Sequence, residues 1–252
     1  IARPSPVRLD VLLVKRGLAQ SRQRAQELIE DGAVLVDGIP ARKASTRVRP
    51  DRPITLARED FPWVGRGALK LLGALDGLDV DPSDVTAADL GSSTGGFTQV
   101  LLERGARKVY AIDVGKGQLA WSLRQDERVV VMEGTNARHL DSLPEPIDFI
   151  VGDLSFIGLA LILPTVWTLL RPGGQAVVLV KPQFEAGREH VDDRGRVSDP
   201  DARADAIERV TTCARDLGFT VLGGRDCDVP GARSGNVEYF LHIQRPPDVV
   251  GD

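Results

Sequence analysis

Five short apolar runs, separated by intervals long enough for helices, constrain this 252-residue chain more than any other feature. Val85 to Leu90, Val109 to Asp113, Val129 to Glu133, Ile147 to Asp153 and Ala176 to Lys181 each have the length of a strand, and Val177-Val178-Leu179-Val180 contains no polar member. Strands that are apolar on both faces belong in a parallel sheet covered by helices, because a parallel pair needs a long crossover connection. Two further runs, Phe219 to Leu222 and Val237 to Ile243, have only a loop between them and predict an antiparallel pair at the sheet edge. The expected fold is α/β, a mostly parallel seven-stranded sheet. Hydrophobic residues at 42% and charged residues at 27% are ordinary for a globular chain, which removes fibrous and disordered alternatives.

The first run leads into Asp89-Leu90-Gly91-Ser92-Ser93-Thr94-Gly95-Gly96-Phe97, after which Val100, Leu101 and Leu102 continue as a helix. Glycines let a backbone approach a ligand closely, and the carboxyl end of the first strand is where open α/β sheets bind nucleotides. The spacing is not G-x-G-x-x-G, and no Gly-Lys-Ser/Thr follows, so NAD and ATP both lose weight. Asp113 ends the second run 22 residues after Gly91, where a carboxylate can accept both hydroxyls of a ribose. Asn136, just past the third run, offers an amide for an adenine edge.

Charge is segregated along the chain. Residues 1–70 carry 14 Lys/Arg against 8 Asp/Glu, net +6, whereas residues 71–252 carry 18 against 28, net −10. A basic module that meets a polyanion, joined to an acidic body, fits this split. Leu9, Leu12 and Leu13 fall at helical spacing before Gly17, and Ser21 N-caps a second helix through Ala25, Leu28 and Ile29 that Asp31-Gly32 ends. Val34 and Val36 then alternate up to Asp37-Gly38, a hairpin signal, and Ile54 and Leu56 supply a later strand. Arg8, Lys15, Arg16, Arg22, Arg24, Arg42, Lys43, Arg47 and Arg49 decorate this αα-then-β module, with no aromatic residue before Phe61. That combination suits phosphate and shape recognition of folded RNA better than single-strand stacking. Residues 1–58 are therefore expected to form an RNA-binding domain, 59–67 a linker, and 68–252 the α/β body.

Other classes are set aside by what the residues lack. Cys213 and Cys227 have no disulfide or zinc spacing, which suits a reducing cytosol and predicts no metal. The most apolar stretch, Phe156 to Leu170, is short for a membrane span and contains Pro164. The first residues lack the uninterrupted apolar region of a signal peptide, and Ile1 suggests a clipped or unusual start.

Arg8-Leu9-Asp10-x-x-Leu13, Gly17-Leu18-Ala19-x-Ser21-Arg22, Ala25, Ile29 and Gly32-x-Val34-x-Val36-Asp37-Gly38 resemble the S4 RNA-binding domain. Asp89, Gly91, Gly95, Gly96, Asp113 and Asp153 resemble the class I S-adenosylmethionine-dependent methyltransferases, a Rossmann-like fold, and more narrowly the FtsJ-like ribose 2′-O-methyltransferases. The whole chain is similar to the TlyA family of rRNA 2′-O-methyltransferases, also called hemolysin A. The match runs through Arg66-Gly67-x-x-Lys70-Leu71, Ser93 to Thr98, Gly115-x-Gly117-Gln118-Leu119, Asp153-Leu154-Ser155-Phe156-Ile157, Lys181-Pro182-Gln183-Phe184-Glu185 and Gly235-Asn236-Val237-Glu238-Tyr239-Phe240. Ser92 replaces the family's usual Ala, a small-for-small change.

The resemblance implies S-adenosyl-L-methionine as cofactor, held by Asp89, Gly91, Ser92, Ser93, Thr94, Gly95, Gly96, Phe97, Asp113 and Asn136. It implies cytidine ribose hydroxyls of 16S and 23S rRNA, in 30S and 50S subunits, as substrates of a cytoplasmic monomer. Arg8, Lys15, Arg16, Arg22, Arg24, Arg66 and Arg138 are the candidate RNA contacts. The family's Lys-Asp-Lys-Glu tetrad falls on Lys70, Asp153, Lys181 and Glu238. Its chemistry is coherent: a 2′-hydroxyl is a weak acid and needs a base. Lys181 ends an apolar strand, which lowers an amine's pKa, and a second cation, Lys70, lowers it further. Asp153 and Glu238 can balance the charge, and Glu238, within an apolar strand, calls for a cationic partner. Three rivals stand beside this reading. Asp153-Leu154-Ser155-Phe156 is similar to the motif of amino-methyltransferases that stack a flipped base, but those need no lysine base. The others are an S4 protein that only docks on ribosomal RNA and, last, a pore former.

Overall fold

In the computed structural model, the described residues are 5–19, 21–30, 32–56, 63–231 and 235–248. The chain divides into two compact units, residues 1–64 and 65–252.

The first unit opens with a two-residue strand, β1 (Val7–Arg8), followed by the helices α1 (Leu9–Lys15) and α2 (Arg22–Glu30). Ser21 caps α2, its Oγ accepting from the Arg24 amide at 3.1 Å. Gly32 has φ 68°, while Asp31 of the expected helix stop lies outside the described residues. Strands β2 (Val34–Val36) and β3 (Ile39–Pro40) form the hairpin, with Asp37 at φ 53° and Gly38 at φ 80°, the left-handed pair that a two-residue turn requires. Strand β4 (Arg47–Val48) pairs antiparallel with β1, and β5 (Ile54–Leu56) pairs antiparallel with β2. Leu9, Leu13, Ala25, Ile29, Val34 and Ile54 bring both helices and the sheet into one core. Residues 57–62, which include 59–62 of the expected 59–67 linker, lie outside the described residues.

The second unit begins with α3 (Gly67–Gly77), followed by β6 (Thr86–Leu90), α4 (Gly96–Glu103), β7 (Lys108–Asp113), α5 (Trp121–Arg124), β8 (Val129–Glu133) and β9 (Ile147–Gly152). Then come α6 (Leu163–Leu169), β10 (Leu170–Val180), α7 (Pro182–Glu185), α8 (Pro200–Asp216), β11 (Thr220–Asp226) and β12 (Tyr239–Gln244). These seven strands form one sheet in the order β11-β12-β10-β9-β6-β7-β8. β8, β7, β6, β9 and β10 are parallel, and β12 runs antiparallel to both β10 and β11. The expected antiparallel pair is present, with β12 inserted between β10 and the outermost strand.

Three strands differ from the sequence expectation by more than a residue or so; one is β11, expected over Phe219 to Leu222, which runs on to Asp226. β10 starts at Leu170, with an irregularity before Gln175 where Arg171-Pro172-Gly173-Gly174 interrupts the ladder. The last strand starts at Tyr239 rather than Val237, so Glu238 precedes the strand instead of sitting within it. The apolar run extends past the ladder because Val237, 44% exposed, is not a core residue. Leu90, Ile112, Ile150, Val178, Val180 and Leu241 make one continuous buried layer across the sheet. The parallel order places the carboxyl ends of β6, β7, β9 and β10 along one edge. Because β12 is reversed, its beginning reaches that same edge.

Candidate active site

Four charged side chains from separate segments converge there. Strand pairing of Val180 with Tyr239 sets the adjoining Lys181 and Glu238 at the ends of neighbouring strands. Asp153 follows β9, its amide donating to the Leu90 carbonyl at 3.1 Å. Lys70 arrives from α3. Its Nζ donates to Glu238 Oε2 at 2.6 Å and to Asp153 Oδ2 at 3.2 Å. Lys181 Nζ lies 2.6 Å from Asp153 Oδ1 and donates to Ser155 Oγ at 2.9 Å. The side chains of Glu238, Lys181 and Lys70 are 3%, 8% and 11% exposed. Burial pushes the Lys70 ammonium down, but the Asp153 and Glu238 carboxylates more than offset it, and the net direction is up. Burial likewise pushes Asp153 up, while Lys70 and Lys181 together hold it below its usual value. Lys70 is thus held as a positive charge and Asp153 as an ionised carboxylate.

The glycine-rich turn adjoins this cluster. Gly91 and Ser92 donate their amides to the Ile112 carbonyl at 2.8 and 3.1 Å, which fixes the turn over β7. Asp113 Oδ2 accepts from the Ser93 amide at 2.8 Å and Oδ1 from the Gly115 amide at 2.7 Å, so this carboxylate joins the turn to the 114–119 loop. Gly95 has φ 100°, and a Cβ there would lie 2.2 Å from Leu123 Cδ1, so both conformation and space demand glycine. A Cβ on Gly96 would come 2.9 Å from the Ala68 amide nitrogen, which makes Gly96 a packing contact between α4 and the helix carrying Lys70. The Thr94 carbonyl accepts from the Ala120 amide at 3.0 Å.

Not every candidate faces a ligand. Phe97 is 4% exposed with its ring 6.3 Å from that of Phe240, so its side chain belongs to the core and only its backbone lies with the turn. Asn136 is exposed and uses Oδ1 to accept from the Arg138 amide at 3.0 Å, capping a short 3-10 turn that also carries the exposed Arg138. Asp89 is fully buried beneath the turn, Oδ2 accepting from Thr98 Oγ1 at 2.7 Å. Burial raises its carboxyl to about 7, and Oδ1 has no hydrogen-bond partner among the described residues.

The candidate RNA contacts also divide. Lys15 is exposed. Arg16 Nη2 donates to the Pro50 and Arg52 carbonyls at 2.5 and 2.9 Å. The Arg24 side chain is only 11% exposed and pairs with Glu27 at 3.1 Å, so it is the weakest of the set for a phosphate. Arg8 and Arg22 both bind Asp10, at 2.8 and 3.2 Å. Arg66 is half-buried immediately before α3.

Three supporting residues had no role assigned from the sequence, although Thr98 and Ser155 lie within the matched segments. Glu133 accepts from the Gly117, Gln118 and Leu119 amides at 2.8, 2.9 and 3.2 Å and from Arg124. Arg124 and those amides hold its carboxyl down at about 2, against the push of burial, and the 114–119 loop is pinned by it. Ser155 orients Lys181, and Thr98 supports Asp89. The Gly115-x-Gly117 spacing was the available signal for the loop. Nothing local marked Glu133.

A sheet of this order with a charged tetrad beside a glycine-rich turn fits a methyltransferase, and the FtsJ-like methyltransferase family matches residues 63–245. The chain belongs to that family. The S4 domain matches residues 7–54. The chain is 48% identical over 244 residues to the 16S/23S rRNA (cytidine-2′-O)-methyltransferase TlyA of Mycobacterium tuberculosis (strain ATCC 25618 / H37Rv), covering 96% of this chain and 91% of that one. It is 35% identical over 256 residues to the 23S rRNA (cytidine-2′-O)-methyltransferase TlyA of Campylobacter jejuni, covering 94% and 98%. A solved structure from Streptococcus thermophilus that carries a hemolysin name is 40% identical, with TM-score 0.76, over 98% of this chain and 92% of that one. No helix among the described residues is long and apolar enough to cross a membrane. Among the same residues, no group of three or more His, Cys, Asp or Glu could hold a metal.

Proposed function

We propose that this chain transfers a methyl group from S-adenosyl-L-methionine to a ribose 2′-hydroxyl of cytidine in ribosomal RNA, acting as a cytoplasmic monomer on 30S and 50S subunits. The observation that carries the reading is the convergence of two buried amines on Asp153 beside the glycine-rich turn. The turn fits the cofactor: Asp113 reaches it, and Asp89 presents a buried acceptor, Oδ1, beneath it. When bound there, the cofactor supplies an activated methyl group on a sulfonium, already a good leaving group.

The chain's own residues then make the nucleophile. The Lys181 amine is the group placed to accept the 2′-hydroxyl proton at Nζ, while Ser155 and Asp153 fix the amine's position. Lys70 stays positive and keeps Asp153 ionised, and Glu238 holds Lys70 in place. The exposed Lys15 and the Arg8–Arg22 pair of the S4 unit anchor the RNA. Base N-methylation draws support from Phe156, 80% exposed at φ 66° with its ring 5.8 Å from that of Phe184, but that chemistry makes no use of two buried lysines.

The test is methyl transfer from labelled cofactor to separated 30S and 50S subunits, with the modified nucleoside identified by mass spectrometry. A 2′-O-methylcytidine is expected, together with a loss of about 10²- to 10⁴-fold in rate for Lys181→Ala. A base-methylated nucleoside, or a folded Lys181→Ala protein that retains the wild-type rate, would overturn the reading.

A further inference from the structure

Among the described residues of the N-terminal unit, one carboxylate is completely buried, Asp10 in the first turn of α1. Five hydrogen bonds converge on it. Oδ1 accepts from the Val11 amide at 2.9 Å and from Arg8 Nε at 3.0 Å. Oδ2 accepts from Arg8 Nη2 at 2.8 Å, Gln26 Nε2 at 3.1 Å and Arg22 Nη2 at 3.2 Å. The bonds from Arg8 hold the carboxyl well below the usual carboxylate range, against the upward push of burial, so Asp10 is ionised at neutral pH.

One guanidinium is enough to balance one carboxylate, and Asp10 holds two. The surplus charge is not hidden, because the Arg8 and Arg22 side chains are 42% and 59% exposed. Both reach the same oxygen through Nη2, which sets two planar forks side by side. Their remaining N–H groups have no protein partner among the described residues. Gln26, one turn beyond Arg22 on α2, completes the seat and locks the carboxylate's orientation.

We propose that Asp10 is a positioning residue for RNA binding, fixing the Arg8 and Arg22 forks as a paired clamp for one backbone phosphate of folded RNA. The inference rests on the reading of this unit as the RNA anchor. A guanidinium fork matches phosphate oxygens in a bidentate way that a point charge does not. Two free arginine side chains would repel one another and would have to be ordered at the moment of binding. Asp10 screens that repulsion and orders both side chains beforehand, leaving one net positive charge facing the ligand.

Charge counting and positioning predict opposite signs. Asp10→Asn removes a negative charge from a basic unit, so binding by net charge alone would become tighter. The clamp predicts weaker binding of the full-length protein to purified 50S subunits, by about tenfold, the worth of one charge-assisted hydrogen bond. In turnover, the KM for subunits should rise while kcat stays unchanged. Equal or tighter binding by a folded Asp10→Asn protein overturns the proposal. Arg22→Lys keeps the charge and alters only an exposed side chain, so it remains decisive if Asp10→Asn does not fold. A similar loss is expected, and wild-type affinity overturns the clamp. Combining the two substitutions should cost little more than either alone, whereas fully additive losses would mean that Asp10 does not act through Arg22. The double variant Arg8→Gln/Arg22→Gln separates the two levels. Unchanged subunit binding there removes the anchor reading itself, while weakened binding there with intact binding in Asp10→Asn removes only the positioning role.

Discussion

Removing Lys70 should do two separable things, and the structure says how large each is. Lys70 Nζ sits 2.6 Å from Glu238 Oε2, and the Glu238 side chain is 3% exposed. Lys70→Met therefore strands a buried carboxylate, a change that costs about 3–5 kcal/mol in stability. Asp153 suffers less, because Lys181 remains 2.6 Å from its other oxygen. Lys70→Met/Glu238→Gln removes both charges while roughly keeping volume, and should recover at least about 2 kcal/mol of the loss, since a missing pair is far cheaper than a broken one. Activity should not recover with it. Without Lys70, Asp153 loses one of its two anchors, and misplacement of catalytic groups by about an ångström costs on the order of 10²-fold in rate. Urea denaturation at pH 7.5, followed by tryptophan fluorescence, measures the first effect, and single-turnover methyl transfer to 50S subunits the second. A Lys70→Met protein with the wild-type urea midpoint would refute the burial argument. A double variant that methylates at the wild-type rate would refute the role given to Lys70.

Three further outcomes follow from the same geometry. Asp113→Ala should weaken S-adenosylmethionine binding by about tenfold or more in calorimetry, because it removes a ribose acceptor and also the carboxylate that joins the Ser93 and Gly115 amides, while RNA affinity stays near wild type. Asp89 is raised from 3.8 to about 7 by burial, so its contribution to stability is full below pH 3.8 and is lost as pH rises through about 7. Asp89→Asn has no such titration, and its unfolding free energy in urea should gain on wild type between about pH 4 and pH 7, by up to about 1.4 kcal/mol per pH unit. Reversing the exposed Lys15, Arg42 and Lys43 to Glu should weaken subunit binding and flatten its salt dependence without disturbing the Asp10 seat, read by binding across a salt series.

The strands and turns of this chain were legible because their signals are local. Apolar runs at Val109 to Asp113 and Ile147 to Gly152 announce buried parallel strands through composition alone, and Asp37-Gly38 announces a turn through backbone conformation. The glycine-rich turn and the acid at Asp113 were legible for the same reason, each being a short spacing with one steric or chemical meaning. Of the chemical residues, Lys181 and Glu238 had a local signal in their apolar strand surroundings, whereas the set of four was named by family resemblance. An exposed helix lysine and Lys70 look alike until the fold brings Lys70 to Asp153 and Glu238, 83 and 168 residues away. Only the tertiary structure decided that the reversed β12 delivers Glu238 to the carboxyl edge from outside the strand, and that the Phe97 ring packs in the core. It also decided that one buried aspartate, Asp10, joins two arginines from different elements. Periodicity reports which face of an element is apolar. It carries no information about which charged groups from distant segments meet when those faces are buried, because the energy of such a meeting arises only from the desolvation and proximity that the complete fold imposes.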